Sequence, residues 1–174
     1  MNAAYRYRPR YSLADYRRWE GDWELIDGLA IDMGPSPLGP HGAMVADLAY
    51  HFKAAFRQYK VTSLEVVVEI DWVVDDSNVV RPDLAIVAKP IKEEHIHCPP
   101  FLVVEVASSS TAEKDRIAKF ELYQQHGVKY YLSADLVEKR LEIFQRIDGS
   151  YKLQPTESPH PFDFGDVNVE VDFQ

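Results

Sequence analysis

Two acidic residues interrupt runs that are otherwise apolar: Asp83 in Arg81-Pro82-Asp83-Leu84-Ala85-Ile86-Val87 and Glu105 in Phe101-Leu102-Val103-Val104-Glu105-Val106-Ala107. Apolar runs of this length, bounded by Pro and Ser, read as strands buried on both faces. An ionised carboxylate there is costly unless it is paired or binds a cation. Two carboxylates on neighbouring strands, with the main-chain carbonyl of Val106 passing the same place, form a set of hard oxygens. Mg²⁺ takes one or two such carboxylates together with waters and substrate phosphate. A centre of this kind supplies a nucleophilic water and neutralises charge on phosphoryl oxygens, which is what phosphodiester hydrolysis needs.

A lysine beside the metal would orient or deprotonate the water and stabilise the transition-state charge. The position two residues after Glu105, on the same face of the strand, is Ala107. On the helix that follows, Asp115, Lys119 and Tyr123 stand at successive i, i+4 positions and share one face. A helix packed on the strand ends could return Lys119 to the space that Ala107 leaves. Asp115 and Lys119 equally have the spacing of a surface ion pair. His41, at a helix start beside a polar loop, can present an imidazole to a cleft, although a histidine there also serves as a cap or a surface residue. His95-Ile96-His97-Cys98 supplies too few ligands for a closed tetrahedral site and reads as a polar loop. The serines at 108–110 have no Gly-x-Ser-x-Gly elbow and suit a helix start better than a nucleophile.

The elements that must carry these residues follow from period and punctuation. Ser12-Leu13-Ala14-Asp15 has the form of a helix start. Residues 23–32 read as a β-hairpin turning at Asp27-Gly28, because Asp-Gly supplies the positive φ of a tight turn. After the Pro-rich loop 34–40, Met44, Leu48, Phe52, Ala55, Phe56 and Tyr59 recur at helical spacing, predicting a long amphipathic helix over 41–59. Residues 62–74 read as one strand with Glu65, Glu69 and Asp71 on a solvated face, and Val79 leads into the Pro82-Asp83 strand. Residues 112–126 form the lysine helix, with Ser110 and Glu113 as a capping-box pair and Gly127 as its C-cap. Strands follow over 128–134 and 140–147, the latter ending at the Asp148-Gly149 turn. Leu153 and the alternation over 167–171 suggest one or two terminal strands across the Pro-rich loop 155–161.

At 174 residues the chain is expected to form one domain. The single Cys98 excludes an internal disulfide framework and a cysteine-based zinc site. No apolar run approaches the roughly 18 residues of a membrane span. The N-terminus has no apolar segment of a secretory signal, so a cytoplasmic location is expected. The formal charge of −9 argues against binding duplex nucleic acid over the whole surface. It leaves room for a local groove, since basic residues gather at Arg6, Arg8, Arg10, Arg17 and Arg18, and again at Lys139, Arg140 and Arg146.

Several of these motifs occur together in order: Glu24-Leu25-Ile26-Asp27-Gly28, the Pro-rich loop to His41, Arg81-Pro82-Asp83-Leu84-Ala85, Leu102 through Ser108, Asp115-Arg116-Ile117-Ala118-Lys119, Tyr123, and Gly127-Val128-Lys129-Tyr130-Tyr131-Leu132. Over about residues 23–146 the chain thereby resembles the Uma2 family of bacterial restriction-endonuclease-like proteins, within the PD-(D/E)xK nuclease superfamily. The resemblance implies an α/β fold of the α+β type: a restriction-endonuclease-like core with a mixed central β-sheet flanked by helices, and the N-terminal β-hairpin as an extension. It implies Mg²⁺ or Mn²⁺ as cofactor, DNA as substrate and a homodimer. Asp83 and Glu105 match the two acids of the signature and Lys119 matches a migrated lysine. Ala107 departs from the basic signature, so catalysis depends on Lys119 reaching the site. Glu24 and His41 match recurring positions that carry no assigned role. The competing reading is a non-catalytic, dimeric binding or regulatory protein on the nuclease fold, which the acidic balance favours.

Overall fold

The computed structural model describes residues 9–34, 39–91, 93–107 and 113–174, without the side chains of 113–116. In chain order, Leu13–Tyr16 is α1, Trp23–Ile26 β1, Leu29–Asp32 β2, Gly39–Gln58 α2, Leu64–Val68 β3, Trp72–Asp75 β4, Asn78–Val80 β5 and Leu84–Ala88 β6. Leu102–Ala107 is β7, Glu113–Gln125 α3, Tyr130–Asp135 β8, Arg140–Ile147 β9, Ser150–Gln154 β10, His160–Asp163 β11 and Asn168–Val171 β12.

A six-stranded sheet ordered β10-β9-β8-β7-β6-β3 forms the centre. It is mixed: β7 and β8 run parallel and every other pair is antiparallel. Parallel neighbours need a crossover, and α3 supplies it. Side-chain alternation divides the sheet into two covered faces. Leu84, Ile86, Leu102, Val104 and Leu132 pack beneath α2 and the β11–β12 ribbon through Leu48, Phe52, Phe56, Phe162 and Val171. Ala85, Val87, Val103 and Tyr131 face the other way, toward Leu122 and Tyr123 of α3 and toward Ile26 and Trp72. Glu105 has the parity of Val103, so it points at α3.

The hairpin β1–β2 closes at Asp27 and Gly28, both at positive φ. It goes on to pair with β5, which pairs with β4, giving a four-stranded sheet ordered β2-β1-β5-β4. Leu25, Val73 and Val79 form its outer core under Tyr11, Leu13, Tyr16 and Trp19. The start of α1 is fixed as expected, with Ser12 and Asp15 closing a reciprocal capping box. In α2 the buried stripe is His41, Val45, Leu48, Phe52, Ala55 and Phe56, while Tyr59 falls beyond the helix. Among the described residues, no helix is long and apolar enough to cross a membrane.

Two expectations are corrected. Residues 62–74 are not one strand: Glu69 takes a positive φ of 48°, and the chain leaves the large sheet after Val68 and enters the small one at Trp72. The kink breaks the alternation, so Asp71 turns inward and is buried instead of lying on a solvated face. Likewise β5 does not run into β6. Arg81, Pro82 and Asp83 carry the chain from the small sheet to the large one, and Pro82 has no N–H to offer a ladder at that point. The expected capping pair Ser110 and Glu113 lies outside the described residues, whereas Gly127 ends α3 at φ +85° as expected.

Candidate active site

The site forms where the two sheets and two helices meet. Asp83 stands one residue before β6, and Glu105 lies near the end of β7. Asp83 Oδ2 accepts from the Val106 N–H at 2.6 Å, past the last ladder pair of β6 and β7. The Ala107 carbonyl bonds across to Leu136, on the β8 side. Alternation therefore turns the Val106 carbonyl the same way as its N–H, toward Asp83. The oxygens of Asp83, Val106 and Glu105 thus lie around one strand end.

Lys119 is 7% exposed and reaches Glu105 from α3, with Nζ 3.1 Å from both carboxylate oxygens. One helical turn on, Tyr123 Oη donates to Glu105 Oε1 at 2.6 Å. The i, i+4 spacing thus places the amine and the phenol on the same carboxylate. The side chain of Asp115, on that same face by spacing, lies outside the described residues. Glu24, 4% exposed on β1, is 2.7 Å from Lys119 Nζ through Oε1, and the same oxygen accepts the Arg81 N–H at 2.7 Å. Lys119 also donates to the Arg81 carbonyl at 3.3 Å. His41, in the first turn of α2, is buried with Nε2 3.2 Å from Asp83 Oδ1. Thus Glu24, His41, Asp83, Glu105, Lys119 and Tyr123 come together from four elements, β1, α2, β7 and α3, and the segment 81–83.

Electrostatics follow from the burial. Removal from water pushes the Glu105 carboxyl up to about 7, with Asp83 and Glu24 adding to the shift against the opposing pull of Lys119 and Tyr123. Burial alone would lower the Lys119 ammonium, but Glu105 and Glu24 more than compensate and hold it above the ordinary lysine range. Burial and the Glu105 charge also push the Tyr123 phenol well up. Lys119 is accordingly a fixed positive charge, which narrows the expectation that it would orient or deprotonate a water to the first of these roles.

Sequence reasoning missed the support beneath the site. Arg81 Nε donates to Asp71 Oδ1 and Nη1 to Asp22 Oδ1, both at 2.7 Å, and Tyr16 Oη donates to Asp71 Oδ2 at 2.8 Å. The only sequence signal for it was an arginine next to Pro82-Asp83, and a strand period that hid Asp71. Elsewhere, His97 pairs with Glu93 and Ile96 is buried beside Trp72, so the His95–Cys98 stretch is a structured loop. Arg146 donates to the Gln124 carbonyl and Arg140 pairs with Glu142, which spends part of the second basic group on internal contacts.

Among the described residues, no three His, Cys, Asp or Glu side chains are grouped to enclose a metal ion by themselves. The donor set is instead two carboxylates and a carbonyl, which suits a cation that keeps several waters. The charges fit such a group: among the described residues, Glu24, Asp83 and Glu105 confront one ammonium, that of Lys119, in a largely buried cluster. A divalent cation at Asp83 and Glu105 would relieve the repulsion that raises the Glu105 carboxyl.

In the solved structures, a protein from Anabaena variabilis, described as a putative nuclease belonging to DUF820, superposes with a TM-score of 0.67 at 15% identity, covering 89% of each chain. The two chains therefore share a fold. More particularly, the chain belongs to the Uma2 family, whose model, described as "Putative restriction endonuclease", matches residues 13–167. No curated protein matches it.

Proposed function

We propose that the chain is a metal-dependent endonuclease that hydrolyses DNA phosphodiester bonds as a homodimer, using Mg²⁺ or Mn²⁺ at Asp83, Glu105 and the Val106 carbonyl. The observation that carries this reading is the excess, among the described residues, of buried carboxylate over cation at one strand end, with the Lys119 ammonium fixed beside it. When bound, the metal would supply an activated water and neutralise charge on the phosphoryl group. Lys119 holds its charge toward the place where the scissile phosphate would lie and stabilises the negative charge that builds there. Glu24 and the Arg81 carbonyl keep the amine in position, and Tyr123 orients Glu105.

The test is cleavage of a panel of plasmid, duplex and single-stranded DNA with Mg²⁺ or Mn²⁺. Cleavage is expected from the wild type, and it should disappear with chelator and in Asp83→Asn. Cleavage that persists in Asp83→Asn would place the chemistry elsewhere. The net charge of −9 favours a second reading, a non-catalytic dimeric binding protein on the same fold. Light scattering that finds a dimer, together with an inert DNA panel, would decide for it.

A further inference from the structure

We propose that His41 is a positioning residue for Asp83, donating through Nε2 and holding the carboxylate in the orientation that a divalent cation needs. The inference rests on the metal reading of the site. Asp83 has a short bond to Val106 N–H on Oδ2, but that bond alone leaves the carboxylate free to swing about it. His41 Nε2 stands 3.2 Å from Oδ1, an ion-pair contact on the other oxygen of the carboxylate. Two partners on different oxygens restrict the plane of the group and leave further lone pairs on both oxygens for a cation.

The surroundings of the ring separate this role from that of a metal ligand. A ligating histidine normally donates from its other nitrogen to a carboxylate, carbonyl or water that sets its tautomer. Nδ1 of His41 is buried with no hydrogen-bond partner among the described residues. An orphaned N–H at that depth is costly, and a bare lone pair less so. The arrangement thus favours the tautomer with its proton on Nε2, the nitrogen that faces Asp83. The ring is also rigidly delivered: His41 lies in the first turn of a helix whose Val45, Leu48 and Phe52 are anchored in the core beneath the sheet. Asp83, by contrast, lies on the crossover segment outside a strand, where the backbone gives its side chain less support.

The experiment is isothermal titration of Mn²⁺ into the wild type and into Asp83→Asn, His41→Gln, His41→Asn and His41→Leu, each checked for folding by its melting curve. Asp83→Asn should abolish binding. His41→Leu should weaken it about 10–100-fold, the usual effect of losing a partner behind a metal ligand. The two amides give a signature that a merely structural role would not produce. Glutamine puts its nitrogen near the place of Nε2 and should restore binding, whereas asparagine puts it near Nδ1 and should not. His41→Leu binding as tightly as the wild type, while Asp83→Asn does not bind, would overturn the inference and leave the metal reading intact. Equal losses in His41→Gln and His41→Asn would also overturn it. No heat from the wild type would overturn the metal reading, and this inference with it.

Discussion

Lys119 reaches oxygen acceptors on three residues, Glu24, Glu105 and the Arg81 main chain, and this set of bonds decides its chemistry. An ammonium so held stays charged near neutral pH, and in the proposed reaction it would be a preorganised positive charge for the phosphoryl group. The same bonds make it structurally expensive to remove. Lys119→Ala would leave Glu24 and Glu105 buried without their cation, and we expect it to lower stability by roughly 3–5 kcal/mol, the usual cost of breaking a buried pair on one side. Urea unfolding in the presence of chelator checks this, and a loss within the error of the measurement would show the pair to be dispensable. Asp83, Glu105, Lys119 and Tyr123 were each legible in the sequence, because an acid in an apolar strand and an i, i+4 helical pair are local patterns. The contact between Glu24 and Lys119 was not, since their 95 positions of separation carry no periodic signal.

At the scale of elements, the parallel pair β7–β8 with α3 between them is the unit that delivers Glu105, Lys119 and Tyr123 to one point. The β11–β12 ribbon seals the opposite face of the sheet, and its first residue provides a test of packing that is independent of the active site. His160 is buried, with its ring 4.8 Å from that of Phe162. Burial lowers its pKa below the ordinary 6.5, against the Pro155 carbonyl and Glu157, which pull the other way. Above pH 6.5 both folded and unfolded chains carry a neutral imidazole, and the stability is complete. As the pH falls through 6.5 the unfolded chain takes up a proton that the folded one resists. Stability should therefore decline until the lowered folded value is passed. Urea midpoints from pH 8 to 5 should show this decline in the wild type and a shallower one in His160→Gln. Parallel curves would mean that the ring is solvated in the folded state.

For the whole molecule, the decisive feature is that a small sheet and a large one meet at Arg81. Its main chain touches Glu24 and Lys119, while its guanidinium locks Asp71 and Asp22. A protein carrying −9 overall repels a phosphate backbone except where charge is locally reversed. Binding of a labelled duplex, followed by fluorescence anisotropy with Ca²⁺ as a divalent cation, is accordingly expected to require the cation and to vanish with chelator. Equal binding in both conditions would mean that a basic surface, rather than the acidic site, holds the DNA. The description of the family makes DNA the first ligand to test.

The chain by itself located the three helices found among the described residues, the β1–β2 hairpin, the strands β6 to β9, and the two acids, the lysine and the tyrosine that converge, because hydrophobic period and capping chemistry are written in neighbouring residues. Only the tertiary structure decided that 62–74 breaks at Glu69, that Asp71 turns inward to Arg81, and that Glu24 and His41 close on Lys119 and Asp83. Those outcomes depend on which sheet each strand joins and on charges brought together from distant positions. Neither leaves a mark in the local order of residues.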